Sequence, residues 1–226
     1  MIQNAIILAA GKGKRMLPLT KKIPKALVKI KKKTLIERKI NSLKKIKINN
    51  KNIHVTVGYK SLLLCKYLSE KKINSIVNTK GKDNAWWIFN TFLGNIKEYV
   101  LLTTCDSIID LNMSFLTKEI KKNKNSPCII VAIRPDKKFK GDYIVSKKFK
   151  VLNISRRKKT NLFASGIQII NPNKVKKLTK NSKINNFNEL WKVLIKKKKL
   201  HHTKIFNKKW SSFDTMHQIK KYGKTV

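Results

Sequence analysis

The chain has 226 residues, 41% of them hydrophobic, enough to bury a continuous core in one domain without covalent staples. Its 54 Lys and Arg against 11 Asp and Glu give a formal net charge of +43, but the basic residues run along the whole chain and only five are Arg, which predicts loose, salt-sensitive, non-specific nucleic-acid binding. No apolar run approaches the ~20 residues of a membrane span, and Cys65, Cys105 and Cys128 show neither even pairing nor C-x-x-C spacing. A disulfide scaffold, a zinc ribbon and a membrane protein are set aside, and a soluble cytoplasmic protein is expected.

Residues 5–10, Ala-Ile-Ile-Leu-Ala-Ala, read as a short buried strand of the kind found centrally in a parallel sheet. Gly11 and Gly13 then permit a tight turn whose N–H groups converge on an anion. Arg15 adds a planar fork of donors and Lys25 a point charge, so the segment predicts a phosphate cradle.

The string Leu8-Ala9-Ala10-Gly11-Lys12-Gly13-Lys14-Arg15, then Pro18-x-Thr20, then Pro24-Lys25-x-Leu27, resembles the signature of the sugar-phosphate nucleotidylyltransferases, the NDP-sugar pyrophosphorylases, in their bacterial short form. Met16 departs from the dinucleotide pattern Gly-x-Gly-x-x-Gly, and no Gly-Lys-Ser/Thr closes a Walker loop. The resemblance implies an α/β fold: a Rossmann-like open mixed, mostly parallel sheet flanked by helices, with a small antiparallel insertion. It implies a single domain, with residues 1–135 as nucleotide-binding half and 136–226 as substrate-binding half. It also implies Mg²⁺-dependent transfer of NMP from an NTP to a sugar 1-phosphate, giving an NDP-sugar and pyrophosphate. Leu8, Ala9, Ala10, Gly11, Gly13 and Arg15 are then the nucleotide-binding residues, with Arg15 and Lys25 catalytic and Lys25 also touching the acceptor.

Further on, residues 34–46 carry Leu35, Ile36, Ile40, Leu43 and Ile46 at near-helical spacing, with Thr34 and Glu37 as a capping box. Residues 52–59 read as a strand, 62–70 as a helix and 73–78 as a strand, an order that implies parallel pairing. In the loop 80–91, Trp87 and Phe89 read as core. In the resembling family this segment lines the base and sugar pocket, which makes Asn84 or Asn90 a base reader and Trp86 a wall of the substrate site.

The apolar strand 99–106 ends on Asp106, where an open α/β sheet binds its ligands. In the resembling family an Asp here holds Mg²⁺, and a hard cation needs only one or two carboxylates besides phosphate oxygens; Asp110 is assigned to a turn. A helix over 116–122 and a strand over 127–133 follow, then an antiparallel pair over 139–149 and 151–155. Arg156 and Arg157 stand where the family often carries a Glu-Lys pair, so Arg157 either holds a second anionic group of the substrate or decorates the surface.

Phe163-Ala-Ser-Gly166-Ile-Gln168-Ile-Ile-Asn171-Pro172 resembles the family's Thr-Gly-Ile-Tyr-x-Leu-x-Pro, which places Gly166 against the substrate and Gln168 toward either the pocket or solvent. Residues 188–196 form a helix with Leu190, Trp191, Leu194 and Ile195 inward, and His201 and His202 are loop residues. Trp210-Ser-Ser-Phe-Asp-Thr215 corresponds to Trp-x-Asp-Val-Gly-Thr. The family's second metal ligand falls on Ser212, and Asp214 is expected to replace it unless it serves as a helix cap.

Two rivals remain at this point. A cytidylyltransferase acting on phosphocholine or another non-sugar phosphomonoester is favoured by the paired arginines, the missing Glu and the Trp86-Trp87 pair, whose faces suit a cation. A non-catalytic RNA- or anion-binding relative is the other, with Ser212 as a lost ligand.

Overall fold

The computed structural model describes residues 2–136 and 141–224; Phe139 and Lys140, at the start of the expected 139–149 strand, lie outside the described residues. Two compact units interleave in sequence. One is built from Gln3–Gly81, Thr103–Asp110 and the chain from Trp210; the other from Lys82–Leu102 and Leu111–Lys209.

The first unit runs β1 (Ala5–Leu8), α1 (Leu19–Lys22), a small hairpin of β2 (Lys29–Ile30) and β3 (Lys33–Thr34), α2 (Leu35–Lys45), β4 (Ile53–Val57), α3 (Ser61–Glu70) and β5 (Ser75–Asn78). β4 pairs in parallel with β1 and with β5, Ile7 lying beside Val55 and Val55 beside Ile76. All of β4 and three of the four β1 residues are buried, which is why both carry continuous apolar runs instead of alternation. Thr34 caps α2 by accepting the Glu37 N–H at 3.1 Å, but the Glu37 carboxylate accepts from the Tyr67 hydroxyl at 3.0 Å, so the expected box is made on one side.

The other unit contains α4 (Trp86–Asn90) and the first three residues of β6 (Val100–Thr104), whose last two belong to the first unit. After β7 (Ser107–Ile109), which is in the first unit, come α5 (Met113–Lys122), β8 (Cys128–Ile133), β9 (Tyr143–Lys147), β10 (Lys150–Ser155), β11 (Phe163–Ile170), α6 (Pro172–Leu178), α7 (Phe187–Lys196) and β12 (Leu200–His202). β11 runs antiparallel to β8 and to the start of β6, and β9 and β10 form the expected antiparallel pair. β13 (Trp210–Ser212) and α8 (Met216–Lys224) return to the first unit.

Two expectations are corrected in the second unit. His201 and His202 are strand residues, with β12 parallel to β8, and His202 is a satisfied core histidine: Nδ1 meets the Thr203 carbonyl at 2.7 Å and Nε2 the Ser146 hydroxyl at 2.8 Å. Gln168 faces neither pocket nor solvent, because its Oε1 is buried and accepts from Trp191 Nε1 at 3.0 Å and from the Cys128 thiol at 3.1 Å. Among the described residues no helix is long and apolar enough to cross a membrane.

Candidate active site

The turn after β1 is held by the backbone on both flanks. The Leu8 carbonyl accepts from Cys105 N–H (3.3 Å), Ala9 N–H donates to Thr56 (3.0 Å), and the Ala10 carbonyl accepts from Tyr59 N–H (3.0 Å). Beyond it Gly11 is open, with nothing within 4 Å of a built Cβ, whereas Gly13 has φ +63 and a Cβ there would meet Lys25 Cβ at 2.9 Å. The Gly13 carbonyl accepts from Met16 N–H (2.8 Å) and the Thr20 hydroxyl (2.9 Å), which closes the turn. Gly13 thus keeps the turn left-handed and clears space for the stem of Lys25.

Lys25 follows Pro24, and its side chain is 13% exposed. Its ammonium donates to Asp106 Oδ2 and, at 2.6 Å, to Asp214 Oδ1. Arg15 Nη2 lies 3.1 Å from the same Asp214 oxygen. The acids are brought together by a strand pair that the sequence did not announce. β7 and β13 pair antiparallel with Ser107 beside Ser212, and the Asp106 carbonyl accepts from Phe213 N–H at 3.0 Å. Phe213 is buried with Met16, Val28, Ile30 and Leu35, so the segment carrying Asp214 is anchored in the core under the glycine turn.

The start of α8 is served by other groups: Gln218 Oε1 accepts the Asp214 and Thr215 N–H groups at 2.7 and 3.0 Å. The Asp214 carboxylate has Lys25, Arg15 and, at 3.2 Å, the Ser212 hydroxyl instead.

Burial works against the charge of Lys25, but the carboxylates of Asp106 and Asp214 outweigh it and its pKa lies above the ordinary lysine value. Burial works against the charge of Asp214 too, and Lys25 and Arg15 hold its pKa below the ordinary carboxylate value. Cys105 is pushed up to about 12, first by burial and then by Asp106, so it is an inert thiol.

Two carboxylates aimed at one cationic point suit a hard divalent cation. Among the described residues no third His, Cys, Asp or Glu joins them, which leaves the remaining positions of such an ion to water and phosphate oxygens.

The other predicted residues lie in the second unit. Asn84 Oδ1 accepts from Phe187 N–H (3.0 Å) at the start of α7, and Asn90 Nδ2 donates to the Trp86 carbonyl (2.9 Å). Trp86 is half-buried with the Lys82 ammonium 5.4 Å from its ring centre, while Trp87 is core, 1% exposed. Arg156 pairs with Asp142 at 3.0 Å; Arg157 is exposed, its N–H donating to Ser155 Oγ at 3.1 Å. Gly166 has φ +78, at the register shift where β11 leaves and rejoins β8. Sequence reasoning missed Lys39, a buried lysine that reaches Ser107, because one lysine among so many on a helix carries no signal.

A family model described as "Nucleotidyl transferase" matches residues 4–216. The CTP:phosphoglutamine cytidylyltransferase of Campylobacter jejuni is 45% identical over 78 residues, 34% of this chain and 30% of that protein. The choline-phosphate cytidylyltransferase of Streptococcus pneumoniae is 52% identical over 56 residues, 25% of this chain and 24% of that protein. The matched stretch thus spans less than a third of either relative's length. A structure from Bacillus anthracis, titled as a putative glucose-1-phosphate thymidylyltransferase, superposes with TM-score 0.80 at 16% identity, covering 98% of this chain and 94% of that one. It shares the Rossmann-like α/β fold. With that match over nearly its whole length, the chain belongs to the nucleotidyl transferase family.

Proposed function

We propose that this protein transfers a cytidylyl group from CTP to a non-sugar phosphomonoester, releasing pyrophosphate in a cytoplasmic setting. The observation that carries the transfer chemistry is the Lys25 ammonium between the carboxylates of Asp106 and Asp214, beside the Gly11 to Arg15 turn. The choice of CTP and of a non-sugar acceptor is supported by the two cytidylyltransferases that are 45% and 52% identical over their matched stretches. It is also supported by Trp86, whose face already receives a cation in Lys82. Sugar 1-phosphate is the second reading, favoured by the Gly166 strand with its exposed left-handed glycine.

In this reading an oxygen of the phosphomonoester attacks the α-phosphorus, the bond from that phosphorus to the α–β bridging oxygen breaks, and the electron pair leaves with pyrophosphate. No covalent intermediate on the protein is needed, so catalysis is positioning and charge stabilisation. The amides of Gly11 and Gly13 and the guanidinium of Arg15 hold the β- and γ-phosphates. Lys25 turns from the acids to the α-phosphate and the attacking phosphate, where an ammonium steadies charge that grows as the reaction proceeds. Asp106 and Asp214 would hold Mg²⁺, which when bound neutralises phosphate charge. Asn84 and Trp86 are assigned to the nucleotide and acceptor sides, and Arg157 and Gly166 to the acceptor.

The test is pyrophosphate release with Mg²⁺ and each of four NTPs against phosphocholine, phosphoethanolamine and glucose 1-phosphate. Turnover with CTP and an aminated acceptor supports the proposal. Turnover only with glucose 1-phosphate selects the second reading, and no release with any pair, alongside RNA binding that survives physiological salt, contradicts both.

A further inference from the structure

Lys39 lies in the middle of α2, on the helix that carries Leu35, Ile36, Ile40 and Leu43 into the core, and it is 4% exposed. Among the described residues it is the one fully buried lysine, Lys25 being partly exposed. Among the described residues its ammonium has a single, neutral hydrogen-bond partner, Ser107 Oγ at 3.2 Å. Ser107 directly follows Asp106, and its hydroxyl also meets Thr103 Oγ1 at 3.3 Å and the Thr104 carbonyl at 3.3 Å.

A side chain that only filled this space would be better as methionine, since a buried charge without a bonded counter-ion costs stability. Burial lowers the Lys39 pKa to about 8, with Asp106 and then Cys105 working the other way. The neighbouring Asp106 thus favours the charged form of a side chain that burial disfavours. Its amine is held in the core against the residue that directly follows the acid bonded by Lys25.

We propose that Lys39 is a buried counter-charge for Asp106, a positioning residue that weakens the acid pair's hold on a free divalent cation, so that the cation is retained only together with triphosphate oxygens. The inference rests on Asp106 and Asp214 as the cation-holding acids. Lys25 and Lys39 act on this pair differently: Lys25, partly exposed, can swing away, whereas Lys39 is locked in the core and sets the field permanently.

The test is a Mn²⁺ titration of the full chain without nucleotide, read by electron paramagnetic resonance, on wild type, Lys39→Met, Lys39→Gln and Asp106→Asn. Lys39→Met is expected to bind free Mn²⁺ tighter by at least about tenfold, the scale of one charge removed from near a dication, with an equal or higher melting temperature. Lys39→Gln restores a donor to Ser107 without the charge and is expected to match Lys39→Met; it carries the comparison if the methionine variant does not fold. Unchanged or weaker Mn²⁺ binding in either folded variant overturns the counter-charge role, as does a glutamine variant that behaves like wild type. Undiminished Mn²⁺ binding by Asp106→Asn overturns the acid-pair reading itself, and the inference with it.

Discussion

Lys25 and Asp214, 189 positions apart in sequence, meet at 2.6 Å, and the same ammonium bonds Asp106. In the proposed reading, this lysine stands where a divalent cation would be held. Lys25→Ala is expected to lose turnover of order 10² or more, the scale of one transition-state donor, while still folding, with a lower melting temperature because Asp106 and Asp214 are left facing each other; pyrophosphate release and calorimetry on the same sample check both halves.

Arg15 reaches the same Asp214 oxygen at 3.1 Å, but its side chain is 67% exposed. Screening by solvent leaves such a pair worth at most about 1 kcal/mol. Arg15→Ala should therefore leave thermal stability almost unchanged and raise KM for the NTP. A large drop in melting temperature with unaltered KM would make Arg15 a structural residue.

The two glycines of the turn separate by backbone conformation. Gly13→Ala forces a side chain into φ +63 and against Lys25, and is expected to cost about 1–3 kcal/mol. Gly11→Ala meets nothing within 4 Å, so its fold should hold. If the turn wraps phosphate, its effect appears as weaker NTP binding, measured by titration calorimetry.

Phe213 donates its N–H to the Asp106 carbonyl and is 2% exposed in the cluster with Met16 and Leu35. Phe213→Ala is expected to destabilise by about 3–5 kcal/mol. Turnover should fall at temperatures where the variant is still folded, since one residue anchors both acids. Denaturant unfolding and activity at low temperature separate the two effects.

Burial holds the pKa of His202 below the ordinary histidine value, and its neutral ring is bonded at both nitrogens. A depressed histidine pKa means that the unfolded chain takes up protons first. Stability from this group is present above about pH 6.5 and is lost as pH falls through the lower folded value. Melting temperatures from pH 7.5 to 5 should fall in wild type and fall less steeply in His202→Gln.

What could be read from the sequence was local. The glycine turn, Arg15 and Lys25 sit within fifteen residues, and buried parallel strands such as β1 and β4 announce themselves as apolar runs. Asp106 was legible because it follows such a run in a chain with few acids. The pairing of β7 with β13 was not, since two three-residue strands a hundred positions apart carry no periodicity; it is this pairing that brings Asp214 to Asp106. Gln168 and His202 misled for a related reason: a polar side chain gives the same letter whether it faces water or is satisfied inside. Lys39 was hidden by composition, its burial decided by β7 packing on α2.

The most direct measurement is the rate of Mg²⁺-dependent pyrophosphate release by Asp214→Asn beside wild type, with CTP and the preferred acceptor. Asn keeps the shape but loses the charge that pairs with Lys25 and would share a divalent ion. A folded variant slower by about 10² or more, at every Mg²⁺ concentration, is the result expected. A variant that turns over at the wild-type rate would show that the acid beside Lys25 is no part of the chemistry.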